Sequence, residues 1–462
     1  MKYYALVLAA GKGTRMKTTL PKCVFPILKK PMIEYIIESI EQSMIEDTVV
    51  VVGHQKEVIK DRLGSRVSYA TQAEQLGTGH AALSAKDVLA DKPGITLILL
   101  GDMPLINAKI IDKIINDHLK NKHDLTVVTA HYDNPKGYGR IIRDQEGNIV
   151  KIVEHNDCTT EQKGITEVNS GLYVVDNTLL FEWLEKIPLN TRKHEYYLTD
   201  IVEMMLPHHS VGTFVVRDAH LLMGVNDLYG ISIAEKYYRN QINRDHMLNG
   251  VSMVNPDTIT IGHNVVIESG VTIHPNTTIT GNSIIKKQAV IGPNTEIHSS
   301  VIHAHVTVNH SLVYDSTVHE YSTVGPFAHL RNQAVVGPHN RIGNFVEVKK
   351  STLDEHTKAS HLAYIGDATV GKHVNFGCGS VTVNYDGVDK HQTIIGNDVF
   401  IGCNTNLVAP ITVGNNVFIA AGSTVTQDIP SNALAIARNR QINKADYVKH
   451  LIRPKPKNDE AK

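Results

Sequence analysis

The chain has 462 residues, more than one compact core accommodates, and a length of roughly 150 residues per domain predicts two or three domains. Its 46 basic and 47 acidic residues nearly cancel, so the charge balance gives no reason to expect a nucleic-acid partner. No apolar run of about 18 residues and no signal-peptide pattern occurs, so we expect a cytoplasmic protein with no membrane partner. The four cysteines, Cys23, Cys158, Cys378 and Cys403, lack metal-site spacing, and we expect reduced thiols.

Short apolar runs alternate with helical patterns in the first half of the chain. We expect buried strands at Tyr4–Ala9, Thr48–Val52, Ile95–Leu100 and Leu125–Ala130, and a helix at Met32–Ser43. This alternation predicts a Rossmann-like α/β domain with a mostly parallel sheet and helices on both faces. In such sheets, ligands bind beyond the carboxyl ends of the strands.

A loop containing two glycines, AAGKGTRM, follows the first expected strand. The dinucleotide fingerprint requires a glycine where Met16 stands, and the P-loop requires a wider spacing than that between Gly11 and Gly13. Consecutive backbone amides in such a loop form an anion-binding nest. Two interpretations stay open from the loop alone: a phosphate cradle of another type and a purely structural turn.

The second half of the chain has a period of six residues. Apolar residues recur at this spacing from Ile261 to Ile297, from Val318 to Val348 and from Ile395 to Val425. Neither a helix nor simple strand alternation produces this period, whereas a hexapeptide β-helix does. Three faces of six residues make a coil of about 18 residues, so residues 255–427 are expected to form roughly nine or ten coils around one apolar column.

These patterns predict a domain over residues 1–227, a linker helix over 228–250 and a second domain over 251–462. An alternative is that the helix packs wholly within the first domain. The last ten residues, RPKPKNDEAK, are charged and contain prolines, and we expect them to be disordered.

The first half resembles the sugar-phosphate nucleotidyltransferases, and within them the UDP-N-acetylglucosamine pyrophosphorylases. The segment PKCVFPILKKPM departs from the common pattern of this branch, which has an apolar-His segment and a glycine before KPM. The resemblance rests on LAAGKGTRM with Pro21-Lys22 and on the blocks QAEQLGTGHA, GDMPL, GYGRI, VEH, EVNSGLY, EYYLTD and GVN.

This resemblance implies that Lys22 and Arg15 are catalytic residues at the phosphates of UTP. It implies that Asp102 and Asn226 hold Mg²⁺, and a carboxylate at a strand end suits such a hard cation. From the residue alone, Asp102 could instead be a helix cap. The UDP-sugar would contact Leu8, Ala9, Ala10, Gly11, Lys22, Gln72, Gly77, Thr78, Gly139, Glu154, Asn169 and Asn226, with uracil at Gln72, Gly77 and Thr78 and the sugar at Gly139, Glu154 and Asn169.

The second half resembles the acetyltransferase half of a family of bifunctional bacterial enzymes. The blocks are GPFAHLR, GNFVEVKK, SHLAYIGD, NFGCGSVTVNYDG and AAGSTV. The resemblance implies a left-handed β-helix, a homotrimer with sites between subunits, and His361 as the general base. The alternative interpretation of His361 is a solvated histidine without a catalytic role. Glucosamine phosphate would contact Arg331, Lys349, Tyr364 and Asn375, and acetyl-CoA would contact Cys378, Asn384, Tyr385, Cys403, Ala421 and Arg438.

The resemblance covers nearly the whole chain and implies a bifunctional enzyme. One half would acetylate glucosamine-1-phosphate with acetyl-CoA, and the other would transfer UMP from UTP to the product, which forms UDP-N-acetylglucosamine and pyrophosphate. One alternative is a single-activity nucleotidyltransferase whose β-helix serves oligomerisation or regulation. Another is a non-catalytic nucleotide-sugar sensor.

Overall fold

The computed structural model describes residues 1–11, 13–18, 20–191 and 193–451. The chain divides into two compact units, Met1–Tyr238 and Arg239–Lys462. The segment RPKPKNDEAK lies outside the described residues. No helix in the described parts of the chain is both long and apolar enough to cross a membrane.

The first unit alternates strands and helices as its apolar pattern predicts. Its strands are β1 (Lys2–Leu8), β2 (Pro26–Ile27), β3 (Lys30–Pro31), β4 (Asp47–Val52), β5 (Ser68–Thr71), β6 (Gly94–Leu100), β7 (Leu125–His131), β8 (Arg140–Arg143), β9 (Ile149–Val153), β10 (Glu167–Asp176) and β11 (Val211–Val215). Its helices are α1 (Met32–Glu41), α2 (Lys56–Leu63), α3 (Thr78–Leu83), α4 (Lys86–Leu89), α5 (Ala108–Asn121), α6 (Thr160–Lys163), α7 (Asn177–Leu184) and α8 (Asp200–Met205), and α9 (Leu228–Leu248) continues into the second unit.

A nine-stranded sheet forms the centre of the first unit, in the order β11-β7-β10-β6-β1-β4-β5, with the β8–β9 hairpin attached to β10. Strand β1 pairs in parallel with β4 and β6, as expected. Strand β10 runs antiparallel between β6 and β7, so the sheet is mixed. Strand β10 follows the β8–β9 hairpin and pairs antiparallel with β8, so it runs in the direction opposite to its neighbours β6 and β7.

Two apolar cores cover the two faces of this sheet. Ala5 and Val7 of β1 pack with residues of α1, α2 and α5, whereas Tyr4 and Leu6 pack with residues of α3, α4, α7 and α8. This alternation along one strand confirms that helices cover both faces. In the parallel register, Leu8 of β1 lies opposite Leu100 of β6, so the loops that follow these two strands leave the same edge of the sheet.

The second unit is a parallel β-helix of short strands. Nine of its strands form one sheet, and the remaining nineteen form the other faces. The strands are β12 (Ser252–Met253), β13 (Thr260–Ile261), β14 (Val266–Ile267), β15 (Thr272–Ile273), β16 (Thr278–Thr280), β17 (Ile284–Ile285), β18 (Val290–Ile291), β19 (Glu296–His298), β20 (Val301–Ile302), β21 (Thr307–Val308), β22 (Leu312–Tyr314), β23 (Thr317–Val318), β24 (Thr323–Val324), β25 (His329–Arg331), β26 (Val335–Val336), β27 (Arg341–Lys349), β28 (Thr352–Leu353), β29 (Lys358–Gly366), β30 (Ala368–Val370), β31 (Asn375–Phe376), β32 (Val381–Val383), β33 (Thr393–Ile395), β34 (Phe400–Ile401), β35 (Asn406–Val408), β36 (Ile411–Val413), β37 (Phe418–Ile419), β38 (Thr424–Val425) and β39 (Leu434–Ala435), and a short helix α10 (Val448–Leu451) follows.

The coils of the β-helix repeat at nearly constant length. Thr260 pairs with Thr278, which is a step of 18 residues. The step from Thr369 to Ile394 is 25 residues, because a loop is inserted after β32. The apolar residues of the six-residue period, among them Ile261, are buried in one continuous core, which confirms the predicted repeat.

Helix α9 contributes residues to both cores. Ile231 and Ala234 are buried in an apolar cluster of the first unit. Ile242 packs against the β-helix core, and the Asn243 amide Nδ2 donates hydrogen bonds of 2.9 Å to two backbone carbonyls of the second unit. The helix spans Leu228–Leu248, and the boundary between the two compact units falls within it, between Tyr238 and Arg239.

The buried imidazole of His118 in α5 predicts a pH-dependent stability. Burial lowers the pKa of His118 from 6.5 to about 4, and its Nδ1 lies 2.9 Å from Thr126 Oγ1. Between these two pKa values the His118 imidazole is protonated in the unfolded chain and neutral in the folded chain. The free energy of unfolding therefore falls as the pH drops from 6.5 towards 4. Between pH 7 and pH 5 we expect a loss of about 2 kcal/mol from this residue.

Urea unfolding at the two pH values measures this effect. His118→Gln should reduce the pH dependence by that amount, whereas His220→Gln, at an exposed position, should leave it unchanged. The same pH dependence in all three proteins would contradict the assignment.

Candidate active sites

A cavity of about 730 Å³ opens at the carboxyl edge of the first sheet. Ten of the twelve residues predicted for the UDP-sugar line it, together with the predicted Arg15 and Asp102. The ten are Leu8, Ala9, Ala10, Gly11, Lys22, Gln72, Gly77, Thr78, Glu154 and Asn226. The cavity therefore lies where the parallel strands end, as the α/β pattern predicts.

The glycine loop approaches Lys22, the predicted catalytic lysine, through Gly13. This residue has a φ of 59°, and a Cβ on it would lie 2.5 Å from the Cβ of Lys22. Lys22 begins a short 3₁₀ turn, Lys22–Val24, in which Cys23 and Val24 are buried. Buried neighbours on one side and the glycine on the other thus set the position of the lysine backbone.

Four side chains form a charged cluster at this edge. The Lys22 ammonium forms an ion pair with Asp102 and donates a 2.7 Å hydrogen bond to Asn226 Oδ1. The guanidinium of Arg15 donates to the same oxygen at 2.6 Å. The other carboxylate oxygen of Asp102, Oδ1, is buried and makes no hydrogen bond within the described structure. A buried unpaired carboxylate oxygen next to an amide oxygen fits the ligand preference of Mg²⁺.

Close packing and hydrogen bonds within the protein hold the predicted uracil side of the cavity. Gln72 is buried, and its Nε2 donates a 3.1 Å hydrogen bond to the carbonyl of Gly77. Gly77 has a φ of 101°, and a Cβ there would lie 2.5 Å from the Tyr196 carbonyl oxygen. The hydroxyl of Thr78 accepts a 3.1 Å hydrogen bond from the Leu198 backbone N–H. A glycine is therefore required at position 77 by close backbone packing.

The predicted sugar residues are only partly brought together. Burial raises the pKa of Glu154, and the Thr199 hydroxyl donates to its carboxylate at 3.3 Å. The Asn169 backbone N–H donates to the Gly139 carbonyl at 2.9 Å, and its side-chain Nδ2 donates to Tyr173. Gly139 and Asn169 are thus neighbours, but neither is among the residues that line the described cavity, and their sugar contacts stay predictions.

The cavity also contains residues to which the sequence analysis assigned no role. Gln75, Glu195 and Tyr197 line it, and all three stand inside the blocks QAEQLGTGHA and EYYLTD that carry the resemblance. Lys193 also lines it, but no pattern in the sequence distinguishes this lysine from others. Cys23 lines the wall as a neutral thiol, since burial raises its pKa to about 12.

In the β-helix, the predicted phosphate-binding cations lie on neighbouring coils. Arg331 of β25 pairs in register with Lys349 of β27. The Arg331 guanidinium donates to Glu347 Oε1 at 2.7 Å. Lys349 is only 5% exposed, and its ammonium lies 3.0 Å from Asp367 Oδ2. The two predicted cations are therefore already held in place by carboxylates.

Two further lysines make this cluster positive overall. The Lys350 ammonium lies 3.7 Å from Asp367 Oδ1. Lys390 comes from the inserted loop, and its contact with Lys349 lowers the Lys390 pKa. Although burial opposes it, hydrogen bonding from Lys349 and Asn384 lowers the pKa of Asp367 below its ordinary value. Four cations and two carboxylates leave a positive excess, which suits a phosphate group.

The predicted Tyr364 and Asn384 lie beside this cluster. Asn384 Nδ2 donates to Asp367 and lies 3.4 Å from the Tyr364 hydroxyl. Asn375 begins β31 and pairs with Lys358 of the preceding coil, so its predicted sugar contact stays a prediction. Tyr385 is exposed in the inserted loop, where its hydroxyl donates to the Gly387 carbonyl at 2.6 Å.

His361 lies in a row of residues that extends across successive coils. It pairs in register with Asn344, and its Nδ1 lies 2.8 Å from Asn344 Oδ1. Three predicted acetyl-CoA residues continue this row by register: Cys378, Cys403 and Ala421. Backbone hydrogen bonds connect the turns, for example from Asn404 N–H to the Cys378 carbonyl at 2.7 Å.

Arg438 lies next to the last turn, where its Cδ is 3.6 Å from a Cβ placed on Gly422.

Both cysteines in this row are exposed free thiols, consistent with wall residues.

The sequence analysis assigned no role to Asn344, Glu347 and Asp367, although all three stand inside the blocks GNFVEVKK and SHLAYIGD. Their partners are visible only from the coil register. Lys390 lies outside every quoted block and could not be found from the sequence.

The fold and the two clusters define a transferase with a nucleotidyltransferase-like α/β unit and an acyltransferase-like β-helix. Residues 4–221 match the nucleotidyl transferase family, residues 257–339 match the GMPPB C-terminal domain, and residues 392–427 match six bacterial transferase hexapeptide repeats. The hexapeptide match is consistent with the expected left-handed coil.

Curated relatives align with the chain from end to end. The bifunctional protein GlmU of Acholeplasma laidlawii is 61% identical over 460 residues, which covers 100% of both chains. The same protein of Enterococcus faecalis is 48% identical, over 97% of this chain and 98% of its own, and that of an Exiguobacterium species is 46% identical, over 97% and 100%. The chain therefore belongs to the family of bifunctional GlmU proteins, and the prediction of a bifunctional nucleotidyltransferase and acetyltransferase is confirmed.

The contact between Gly13 and Lys22 generates a testable prediction. Gly13→Ala introduces both an alanine at a positive φ and an overlap with the lysine Cβ, whereas Gly64→Ala, at a φ of 56° with no atom within 4 Å of the added Cβ, introduces only the first. We expect each variant to lose about 1–3 kcal/mol from backbone strain, and Gly13→Ala to lose about 1–3 kcal/mol more from overpacking. Urea unfolding of the full chain measures the difference, and equal losses in the two variants would show that the overlap is relieved at no cost.

Proposed function

We propose that the two sites catalyse consecutive steps in the synthesis of UDP-N-acetylglucosamine. The β-helix transfers the acetyl group of acetyl-CoA to the amine of glucosamine-1-phosphate. The α/β unit then transfers UMP from UTP to this product and releases pyrophosphate. The observation that carries the proposal is that one chain has both the Lys22–Asp102–Asn226 cluster and, on neighbouring coils of the β-helix, the Arg331–Lys349 pair and the hydrogen-bonded His361.

The first site suits an in-line attack of a sugar-phosphate oxygen on the α-phosphorus of UTP. Backbone amides of the glycine loop bind the triphosphate, while Lys22 and Arg15 neutralise charge that develops as pyrophosphate leaves. Asp102 and Asn226 would hold Mg²⁺, which supplies further neutralisation of phosphate charge when bound. No covalent enzyme intermediate is needed, so the side chains act by position and charge.

The second site suits attack of an amine on a thioester. Because Asn344 Oδ1 accepts a hydrogen bond from His361 Nδ1–H, the other imidazole nitrogen, Nε2, is free to accept a proton. The amine nitrogen forms a bond with the thioester carbonyl carbon as its proton passes to Nε2, and the bond between that carbon and sulfur breaks. The CoA sulfur takes up the proton from the imidazolium and leaves as the thiol. Arg331 and Lys349 hold the phosphate of the substrate.

We further propose that the protein acts as a homotrimer in the cytoplasm. The support is an exposed apolar ridge next to His361, in which Phe327 and Phe345 stack at 5.6 Å and Leu362 follows one coil later. Exposed apolar ridges of this kind are covered by partners in many assemblies. Sedimentation of the full chain measures the number of subunits, and a monomer with normal acetyl transfer would contradict an intersubunit site.

The sequence analysis left a single-activity nucleotidyltransferase with a scaffolding β-helix as an alternative, and the full-length match to bifunctional relatives argues against it. Arg331 and Lys349, both held by carboxylates and the second of them buried, favour acetyl transfer over a scaffold role. Thiol release separates the two functions: free CoA should appear only when acetyl-CoA and glucosamine-1-phosphate are both present.

Asp102→Ala should abolish uridylyl transfer and leave acetyl transfer near normal. The substitution removes a proposed Mg²⁺ ligand and the ion-pair partner of Lys22, whereas the acetyl site belongs to the other unit. Pyrophosphate release and thiol release, measured on the same preparation, report the two activities, so acetyl transfer serves as the folding control. Retained metal-dependent pyrophosphate release would remove Asp102 from the site.

His361→Ala should slow acetyl transfer by at least ~100-fold, because alanine offers no base for the amine proton. His373→Ala, at an exposed histidine of the next coil, should leave the rate unchanged, and uridylyl transfer should be normal in both variants. Thiol release measures the rates. Full acetyl transfer by His361→Ala would exclude the imidazole as general base.

A further inference from the structure

Two histidines and a glutamate cluster on one face of the β-helix, in coils that precede those of the acetyl site. His303 follows β20, His319 follows β23 one coil later, and Glu320 is the next residue. The register pairs Ile302 with Val318, which places the two histidines side by side. Their rings stack with 4.6 Å between centroids.

The ligand atoms of these three residues converge. His303 Nδ1 lies 2.9 Å from Glu320 Oε1, and His319 Nδ1 lies 3.8 Å from Glu320 Oε2. One ligand atom of each residue lies within 4.8 Å of the others. Tetrahedral bonds of about 2.0–2.1 Å require ligand atoms about 3.4 Å apart, so the side-chain torsions of the stacked imidazoles and of Glu320 would adjust when all three bind one ion.

The backbone of this cluster is already fixed by the coil ladder. The His303 N–H donates to the Val318 carbonyl at 2.9 Å, and the His319 N–H donates to the Val336 carbonyl at 2.8 Å. An ion would therefore have to order only side-chain torsions. These side chains are 27% to 41% exposed, so an ion can reach them from solvent.

The charge around the cluster also permits a cation. Lys286 occupies the position next to His303 on the preceding coil, but its ammonium lies 3.0 Å from Glu268 Oε1. The lysine charge is thus balanced by its own partner, and the carboxylate of Glu320 faces the imidazoles.

We propose that His303, His319 and Glu320 bind one borderline divalent cation, represented by Zn²⁺, which links two neighbouring coils. Two imidazole nitrogens and one carboxylate oxygen are a ligand set for Zn²⁺ rather than for the oxygen-preferring Mg²⁺. Three protein ligands leave the fourth position to water. This site is independent of the oxygen ligands Asp102 and Asn226 in the first unit.

Other stacked histidines of the β-helix supply a matched control. His339 stacks between Tyr321 and His356 at 5.0 and 4.9 Å, and it is exposed. Across the described ranges, the group at His303 is the one in which three candidate ligand atoms of His, Cys, Asp or Glu converge. Imidazole stacking alone is therefore common to both positions, and ligand convergence distinguishes them.

Equilibrium dialysis of the full chain against micromolar Zn²⁺, with excess Mg²⁺ present to occupy the oxygen ligands, tests the proposal. The unchanged chain and His339→Gln should bind one more equivalent of Zn²⁺ than His319→Gln. Outer partners of a metal site are typically worth 10–100-fold in affinity, so loss of a direct ligand should weaken binding at this site at least tenfold.

Equal binding by all three proteins would overturn the proposal. The melting temperature supplies a second readout, because a ligand that binds only the folded state raises it. Zn²⁺ should raise the melting temperature of the unchanged chain and His339→Gln more than that of His319→Gln. Glu320→Gln, which preserves size at an exposed carboxylate, replaces His319→Gln if that variant fails to fold, and unchanged Zn²⁺ binding by it would equally overturn the proposal.

Discussion

Parallel pairing of neighbouring strands is the constraint on which both active sites depend. In the first unit it sets Leu8 opposite Leu100, so the glycine loop and Asp102 leave the sheet together. In the second unit it sets Arg331 opposite Lys349. Neighbouring strands lie about 4.8 Å apart, so groups that are remote in the chain come within reach of one phosphate. The pairing register of the strands therefore determines which side chains meet at each site, whereas the local sequence determines only which side chains are present.

The proposed phosphate-binding cations share a second feature, which is a carboxylate partner within the protein. Asp102 holds Lys22, Glu347 holds Arg331, and Asp367 holds the buried Lys349. Each pair orders a long side chain during folding, so less conformational entropy is lost when substrate binds. The carboxylates therefore act as positioning groups, and their position beside the cations explains how buried lysine remains charged.

The repeat and the strand-end cavity could be predicted from sequence because each depends on a local pattern repeated many times. The direction of β10 could not, since a strand buried on both faces has the same apolar pattern in either direction. Glu347 and Asp367 were inside quoted blocks, yet only the register shows that they face Arg331 and Lys349. Family resemblance predicted roles for single residues, whereas the hydrogen-bond and ion-pair partners of those residues can be identified only from the structure.

The inserted loop in the long coil adds a residue to the cationic cluster and leaves the stacking of the coils unchanged. It extends the step from Thr369 to Ile394 to 25 residues, while β30 and β33 still pair as direct neighbours. The loop brings Lys390 to the cationic cluster without changing the stacking of the apolar column. A change in the sequence or length of this loop would therefore alter the cationic cluster, while the strands paired on either side of it stay in place.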